Sequence, residues 1–289
     1  MSKLRIALIP LALLALATFA GCGSDDDSGD DSASTGAVSL SDCTPDQLQT
    51  EASGKLTVAT DKPAYPPYFE DNDPTNGQGF ESAVAYAIAD QLGYASDDVT
   101  WTVEPFNASY APGPKDFDFD VNQISITPKR AEQVDFSSPY YEADQAVVAL
   151  KDSPAADAAS LADLQEATIG VQIGTTSLDA VNEQIQPSED PQVFDTSNDV
   201  VSALKNGQVE AIVTDVPTAF YLTAAQVPEA TVVGQFSAPG GDTWGALLEK
   251  DSPLTACVSA AIDELESSGE LATIEKKWMS DATGAPVLQ

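Results

Sequence analysis

The pattern of apolar and polar positions from Lys55 onward predicts short strands that alternate with helices. The stretch KLTVAT reads as a strand, and the stretches VTWTVEPF and DFDVNQISIT alternate as strands do. After the first strand, apolar residues recur every four positions and predict one buried helix face that ends before Gly93: Phe80, Val84, Ile88 and Leu92. This part of the chain therefore mixes both kinds of element.

A second block of alternating segments begins near the stretch DQAVVALKDS. Its predicted strands are ATIGVQI, PQVFDT, VEAIVTD and ATVVGQF, and its predicted helices are SLADLQ, SLDAVNEQI, SNDVVSALKNGQ and PTAFYLTAAQ. A last strand, TWGALLEK, precedes two predicted helices over residues 253–267 and 271–279. Such alternation predicts an α/β fold with mainly parallel sheets covered by helices.

The N-terminus has the pattern of a bacterial lipoprotein signal. Lys3 and Arg5 give it a positive start, an apolar run of 14 residues covers 6–19, and the sequence AGC ends at Cys22. We predict a signal peptide over residues 1–21 and lipid attachment at Cys22. The apolar run is too short for a comfortable transmembrane helix. The alternatives are an ordinary secretory signal that is cut elsewhere and an anchor that is not cleaved.

Residues 22–42 are predicted to be a disordered acidic tether, because Asp, Ser and Gly dominate this segment and cannot form a core. Two further cysteines follow, Cys43 and Cys257. In an exported protein such a pair favours a disulfide over two unrelated buried thiols. The bond would connect the start of the fold to its end.

Composition and charge exclude several classes of function. The chain has 46 acidic and 12 basic residues and a formal charge of −34, which disfavours a nucleic-acid partner. It has no histidine, so Ser-His-Asp and Cys-His catalysis and His-ligated zinc are excluded. We therefore predict neither a metal nor a cofactor. Apart from Arg5, the only arginine is Arg130, which needs an explanation of its own.

Several stretches together resemble one known family over residues 55–279. In chain order they are LTVATDKPAYPPY, GFESAVAYAIADQLG, SITPKRAEQVDFSSPYY, IGVQIGTTS, ALKNGQVEAIVTD and SGELATIEKKW. Their order and spacing are similar to those of the family 3 extracellular solute-binding proteins, the polar amino-acid receptors of ABC importers. The resemblance implies ligand binding without covalent chemistry, so we expect a binding protein rather than an enzyme.

The resemblance implies two α/β lobes joined by two crossing strands, the type II periplasmic-binding-protein-like fold, with ligand held between the lobes. We expect residues 43–142 and 239–281 to form lobe 1, residues 143–238 to form lobe 2, and residues 282–289 to form a C-terminal tail. Open α/β sheets also place ligands at the carboxyl ends of their strands, whatever the family.

Arg130 follows SITPK at the predicted start of a short helix. A carboxylate there would meet a planar, two-pronged cation together with backbone N–H groups, and lysine would supply the charge without the fork. The resemblance implies that Arg130 binds the ligand's α-carboxylate and that Ser125 adds polar contacts. The alternative is a solvated arginine paired with Glu132 or Asp135.

Two polar positions in the second block are candidates for the opposite side of the site. The resemblance implies that Thr175 and Thr176, in the sequence GTTS, bind the same carboxylate, and that Asp215 binds the ligand's α-ammonium. Each has a purely structural alternative as the N-cap of a helix, with Pro217 in the first turn after Asp215.

Aromatic side chains are expected to cover the ligand's side chain. The candidates are Tyr65, Tyr68 and Phe106, for which packing in the core is the alternative. The chain departs from the commoner family pattern in residues 107–120, NASYAPGPKDFDFD, where Pro-Gly-Pro rules out a regular helix. It also departs at Gln123, a candidate site residue where a small residue is common, so the selectivity for the ligand's side chain is open.

We therefore expect an exported, monomeric receptor that is lipid-anchored at the outer face of the cytoplasmic membrane or in the periplasm and delivers a zwitterionic L-amino acid to an ABC permease. Lys62 and Lys129 are the only lysines near the expected site, so a neutral polar or cationic amino acid should bind better than aspartate or glutamate. The alternatives are a periplasmic dehydratase on the same scaffold and a sensor subunit for a membrane kinase.

Overall fold

The computed structural model describes residues 38–280 and 284–289. The strands are β1 (Leu56–Thr60), β2 (Val99–Val103), β3 (Phe119–Asp120), β4 (Asp135–Glu142), β5 (Gln145–Leu150), β6 (Ile169–Gln172), β7 (Gln192–Phe194), β8 (Ala211–Asp215), β9 (Ala230–Phe236) and β10 (Thr243–Leu248). The helices are α1 (Phe80–Gln91), α2 (Phe106–Ser109), α3 (Pro128–Ala131), α4 (Thr176–Ala180), α5 (Ser197–Lys205), α6 (Val216–Tyr221), α7 (Thr255–Ser268) and α8 (Glu270–Met279).

The strands form two five-stranded sheets with equivalent topologies. The first has the order β2-β1-β3-β10-β4 and the second β7-β6-β8-β5-β9. In the first, β1 is parallel to β2 and β3, and β10 is antiparallel to both of its neighbours. In the second, β6 is parallel to β7 and β8, and β5 is antiparallel to both of its neighbours. The predicted α/β class with mainly parallel sheets is confirmed, with one reversed strand in each sheet.

We call the first sheet and its helices lobe 1 and the second sheet and its helices lobe 2. Two connections join them: residues 143–144 between β4 and β5, and residues 237–242 between β9 and β10. The backbone N–H of Ala143 donates to the carbonyl of Asp242 at 2.7 Å, and the hydroxyl of Ser237 donates to Asp144. The two connections are therefore hydrogen-bonded to each other at the crossing.

The packing of the core explains why the sequence of β5 is a continuous apolar run. In β5, Val147 and Ala149 pack on one face of the second sheet, and Ala146 and Val148 pack on the other. Because both faces are covered by helices, the strand shows little polar alternation. In lobe 1 the apolar face predicted for α1 is fully buried, and Gly79 precedes this helix at φ 97°. A side chain at Gly79 would collide with the backbone of Tyr68, so the helix start requires glycine.

The structure differs from the sequence prediction in several segments, among them β4, which was not predicted. The strand predicted at DFDVNQISIT is reduced to the two residues of β3, because Gln123 has φ 49° and interrupts the extended backbone. The helix predicted at SLADLQ is a 3-10 turn, Leu161–Leu164. The expected lack of a regular helix in residues 107–120 holds only after Ser109, since α2 covers the first positions.

The predicted disulfide joins Cys43 to Cys257 on α7, with an S–S distance of 2.06 Å. The preceding residues, Leu40–Asp42, form a 3-10 turn. The signal peptide, the lipidation site Cys22 and most of the tether lie outside the described residues. The residue limits expected for the two lobes stay a prediction.

The end of the chain packs on lobe 2, although α8 belongs to lobe 1. Gln235 of β9 donates its N–H to the carbonyl of Pro286, and the N–H of Leu288 donates back to Gln235. Leu288 is buried, and a side chain at Gly234 would collide with it. The last residues therefore add a short pairing to the edge of the second sheet. No helix in residues 38–280 or 284–289 is long and apolar enough to cross a membrane.

Candidate functional site

A cavity of about 430 Å³ lies between the two lobes, at the ends of several strands. Both lobes contribute to its wall, as expected for ligand sites at the carboxyl ends of strands in open sheets. Every ligand-binding residue expected from the sequence lines it: Tyr65, Tyr68, Phe106, Gln123, Ser125, Arg130, Thr175, Thr176 and Asp215.

Arg130 is the only buried arginine among the described residues, with 7% of its surface exposed. Pro128 starts α3, and Thr127 caps this helix by accepting the backbone N–H of Arg130. In this position Arg130 lines the cavity. Its guanidinium donates to the backbone carbonyls of Ser125 at 2.8 Å and Gly174 at 2.9 Å. These two acceptors lie on different lobes, so the guanidinium bridges the cleft.

No carboxylate of the described residues lies within ion-pair distance of Arg130. The alternative partner Asp135 pairs with Lys250 instead, at 3.0 Å. The guanidinium lies 4.8 Å from the ring centroid of Tyr110 and 5.4 Å from that of Phe106. Burial lowers the pKa of Arg130, and the nearby Tyr110, Asp242, Asp179 and Asp215 oppose this effect. The result is a buried cation that is satisfied by carbonyls and aromatic rings.

Thr175 and Thr176 have different roles at the start of α4. The hydroxyl of Thr175 accepts the N–H of Leu178 and donates to the carbonyl of Gln172, so this side chain is an N-cap. The hydroxyl of Thr176 lies 3.3 Å from that of Ser125 across the cleft and donates to Asp242 at 2.8 Å. Thr176 is therefore the one of the two whose side chain reaches the other lobe.

Asp215 ends β8 and lines the cavity. It occupies the N-cap position of α6, but its side chain makes no capping hydrogen bond there. One carboxylate oxygen accepts from the side-chain amide of Gln145 at 2.8 Å. Burial and the nearby Asp242 raise the pKa of Asp215, whereas Gln145 and Arg130 lower it. Arg130 and Asp215 are therefore close enough to influence each other without forming an ion pair.

The aromatic candidates combine packing with contact to the cavity. Tyr68 is buried, packs edge-on against Trp244, and has its hydroxyl 2.8 Å from that of Thr218 on lobe 2. Tyr65 donates to Asn198 of lobe 2 at 2.6 Å. Phe106 packs against Tyr110 on the side of Arg130. Tyr68 therefore both packs in the core and lines the cavity.

Gln123 lines the cavity, but its hydrogen bonds point away from it. Its backbone N–H and its side-chain amide both donate to Glu81, which also accepts from the hydroxyl of Tyr140 at 2.6 Å. Glu81 is fully buried, and burial raises its pKa to about 7 against the opposing effect of these hydrogen bonds. This buried carboxyl group supports the left-handed backbone of Gln123.

Several residues of the cavity wall were not predicted from the sequence. Asp61 follows β1 and Asp195 follows β7, so position after a strand could have identified both. Asn198 and Thr218 hydrogen-bond to the aromatic candidates. Tyr110, which does not itself line the cavity, covers Arg130. Tyr110 lies in the segment that departs from the family pattern, and no periodicity marks it.

Several side chains of lobe 1 hydrogen-bond to lobe 2 across the cleft. Besides those of Arg130, Tyr65 and Tyr68, the amide of Asn107 donates to the carbonyl of Asp195 at 3.3 Å. Two lobes that meet through polar contacts around a shared cavity are typical of proteins that bind a small molecule by closing around it.

The chain belongs to the bacterial extracellular solute-binding proteins of family 3, whose model matches residues 56–281. It is 29% identical over 245 residues to the arginine-binding extracellular protein ArtP of Bacillus subtilis (strain 168), covering 83% of this chain and 92% of that protein.

Solved structures of binding proteins are similar to this chain as well. An ancestral arginine-binding protein bound to glutamine superimposes with a TM-score of 0.66 at 30% identity, covering 79% of this chain and 99% of that one. A second structure, an ancestral arginine-binding protein bound to arginine, has a TM-score of 0.64 at 31% identity, with 78% and 98% covered.

The raised pKa of Glu81 predicts a pH dependence of stability. A carboxyl group whose pKa is higher in the folded than in the unfolded state stabilises fully below about pH 4.5, and this contribution is lost as pH rises to about 7. Glu81→Gln, which stays neutral, should therefore gain about 3 kcal/mol of unfolding free energy relative to the wild type between pH 4.5 and 8.

Urea unfolding of both proteins across this pH range is the measurement. Glu132→Gln, which removes the same charge from an exposed position, is the control and should run parallel to the wild type. A Glu81→Gln curve that also runs parallel to the wild type would contradict the raised pKa of Glu81.

Proposed function

We propose that this protein is the extracytoplasmic amino-acid receptor of an ABC importer, which captures a zwitterionic L-amino acid between its lobes and delivers it to a membrane permease. The observation that carries the proposal is the buried guanidinium of Arg130, which borders the cavity without an ion-pair partner among the described residues. Each terminal nitrogen uses one N–H on a backbone carbonyl and keeps another for a carboxylate. The ligand's α-carboxylate is the natural partner.

Asp215 is the proposed partner of the ligand's α-ammonium group. It lines the same cavity as Arg130, and each group shifts the pKa of the other although they do not pair directly. A fixed cation and a fixed anion that are held apart match the two charges of an amino acid. The hydroxyl of Ser125 lies between the lobes and lines the cavity, where it would donate to the ligand's carboxylate, whereas the hydroxyl of Thr176 already donates to Asp242.

The rest of the cavity favours a ligand with a cationic or neutral polar side chain. Asp61 and Asp195 line it, against the single exposed cation Lys62. With Arg130 and Asp215 engaged by the zwitterion, the remaining wall carries a net negative charge. Tyr65, Tyr68 and Phe106 are proposed to cover the stem of the side chain. The arginine-binding function named for the relatives of this chain supports the cationic class.

No chemical step is required of this site. The wall offers a fixed charge pair, hydroxyls and aromatic rings, and the relatives compared above are named as binding proteins. Closing the lobes buries the ligand, so the ligand must bind the closed state more tightly than the open one. A single chain contains both walls of the cavity, which agrees with function as a monomer.

Lipid attachment at Cys22 would keep the receptor at the outer face of the membrane beside its permease, with residues 23–42 as a tether. The pattern of residues 1–22 supports this localisation, as does the description of relatives as extracellular.

In cells that express the full chain, Cys22→Ala should move the protein from the membrane fraction to the soluble fraction. Wild-type protein without a lipid on Cys22 by mass spectrometry would contradict the anchor.

Arg130 should dominate affinity. Arg130→Ala is expected to weaken binding of the best amino-acid ligand by at least about a hundredfold, because it leaves the desolvated carboxylate without its cation, a loss of about 3 kcal/mol. Arg130→Lys should recover only part, since lysine lacks the fork. Isothermal calorimetry is the measurement, with the exposed Lys205→Ala as a control for loss of one positive charge. Unchanged affinity in Arg130→Ala would remove Arg130 from the site.

The charge of the cavity wall predicts the order of ligands. In a thermal-shift screen of the twenty amino acids, a ligand at about 100 times its dissociation constant adds about 2.7 kcal/mol of stability. Basic amino acids should give the largest shifts and aspartate and glutamate the smallest, because a second ligand carboxylate would lack a buried cation. Association of a basic ligand should slow as salt is added. Tightest binding by glutamate or aspartate would refute the charge argument.

A further inference from the structure

Gln145 joins two carboxylates, the half-buried Asp215 beside the cavity and the buried Asp242 at the crossing. It is the first residue of β5, directly after the connection 143–144, and it is fully buried. Its side-chain nitrogen donates to Asp215 at 2.8 Å and to Asp242 at 2.7 Å, and its side-chain oxygen accepts from Ser177 at 2.6 Å. Two carboxylate acceptors fix which end of the amide is the nitrogen. Both of its N–H groups are therefore used to hold acidic side chains.

Asp242 connects this arrangement to the crossing and to the opposite wall of the cleft. Its backbone carbonyl accepts from Ala143, which ties it to the other connection between the lobes. The carboxylate oxygen that accepts from Gln145 also accepts from the hydroxyl of Thr176, which contacts Ser125 of lobe 1. A chain of hydrogen bonds thus runs from Asp215 through Gln145 and Asp242 to the contact between the lobes.

Two carboxylates that are held close together in a buried site disfavour each other's ionised form. In this structure Asp242 raises the pKa of Asp215, whereas the hydrogen bond from Gln145 lowers it. Without the amide of Gln145, the carboxylate of Asp215 would lose one donor and face Asp242 with its repulsion unrelieved. Asp215 binds a ligand ammonium only when it is ionised and correctly oriented, and Gln145 contributes to both conditions.

We propose that Gln145 is a positioning residue for recognition of the ligand's ammonium group, which it supports by holding Asp215 in place against the repulsion of Asp242. This inference rests on the proposed function of Asp215. Gln145 itself does not line the cavity. The charged and titratable groups that influence or face Asp215 come from several elements: Arg130 on α3, Asp242 in the connection before β10, Glu81 on α1, Tyr68 after β1 and Tyr141 on β4.

The test is the pH dependence of arginine affinity, measured by calorimetry from pH 5 to 8 on the intact mature protein. In Gln145→Met, which keeps the size but removes both donors, the pH at which affinity is half lost should rise above that of the wild type, so that the loss of affinity relative to the wild type is larger at pH 5 than at pH 8. Asp242→Asn, which keeps the shape but removes the competing charge, should shift this midpoint downward.

The control is Gln165→Met, because Gln165 also donates its amide to another group, the carbonyl of Ile185, but does not line the cavity. It should leave both affinity and midpoint unchanged. A purely structural role of Gln145 would lower affinity equally at every pH, and such a parallel profile would overturn the proposal.

If Gln145→Met does not fold by circular dichroism, Asp242→Asn alone decides, and an unshifted midpoint in that variant overturns the proposal. If the wild type binds no amino acid, both the proposed function and this inference fail. If the wild type binds in an Arg130-dependent manner but the midpoints do not move, only this inference fails.

Discussion

The central constraint on this structure is that the guanidinium of Arg130 is buried between two lobes. Burial of an unpaired charge is costly, and no carboxylate of the described residues pairs with Arg130. The charge is satisfied instead by the carbonyls of Ser125 and Gly174 and by the ring of Tyr110. Gly174 has φ 74°, and a side chain there would collide with the hydroxyl of Tyr110, so its backbone geometry is part of the site. Because the two carbonyls belong to different lobes, the guanidinium makes both of these hydrogen bonds only when the lobes are together.

The acidic side chains around this cation are arranged so that none of them, among the described residues, pairs directly with it. Asp215 and Asp242 are held by the amide of Gln145, and Glu81 is held by Gln123 and Tyr140. Hydrogen bonds from neutral donors can hold a carboxylate in place without neutralising it as an ion pair would. The positive charge of Arg130 and the negative charge of Asp215 therefore remain available to a ligand, which is the electrostatic requirement for recognition of a zwitterion.

Sequence reasoning recovered the elements with strong periodicity and the residues with a distinctive chemical context. The apolar face of α1 followed from a period that directly reflects burial. Arg130 stood out because it is almost the only arginine of the chain. By contrast, the strand predicted around Gln123 was too long, because the alternating pattern did not reveal the left-handed residue that interrupts it. Gln145 and Asp242 were missed, since their partners are far away in sequence and meet only when the two connections cross. Tyr110 was missed because no periodicity marks it.

Selectivity and closure involve the same side chains in this protein. Tyr65 and Asn198 line the cavity and hydrogen-bond to each other across the cleft, and so do Tyr68 and Thr218. A ligand side chain that displaces either pair would remove contacts that hold the lobes together, whereas one that fits beside them adds its own contacts to the closed state. Since a ligand shifts the equilibrium only by its differential affinity for the two states, the shape of this end of the cavity determines both which side chain binds and how completely the lobes close around it.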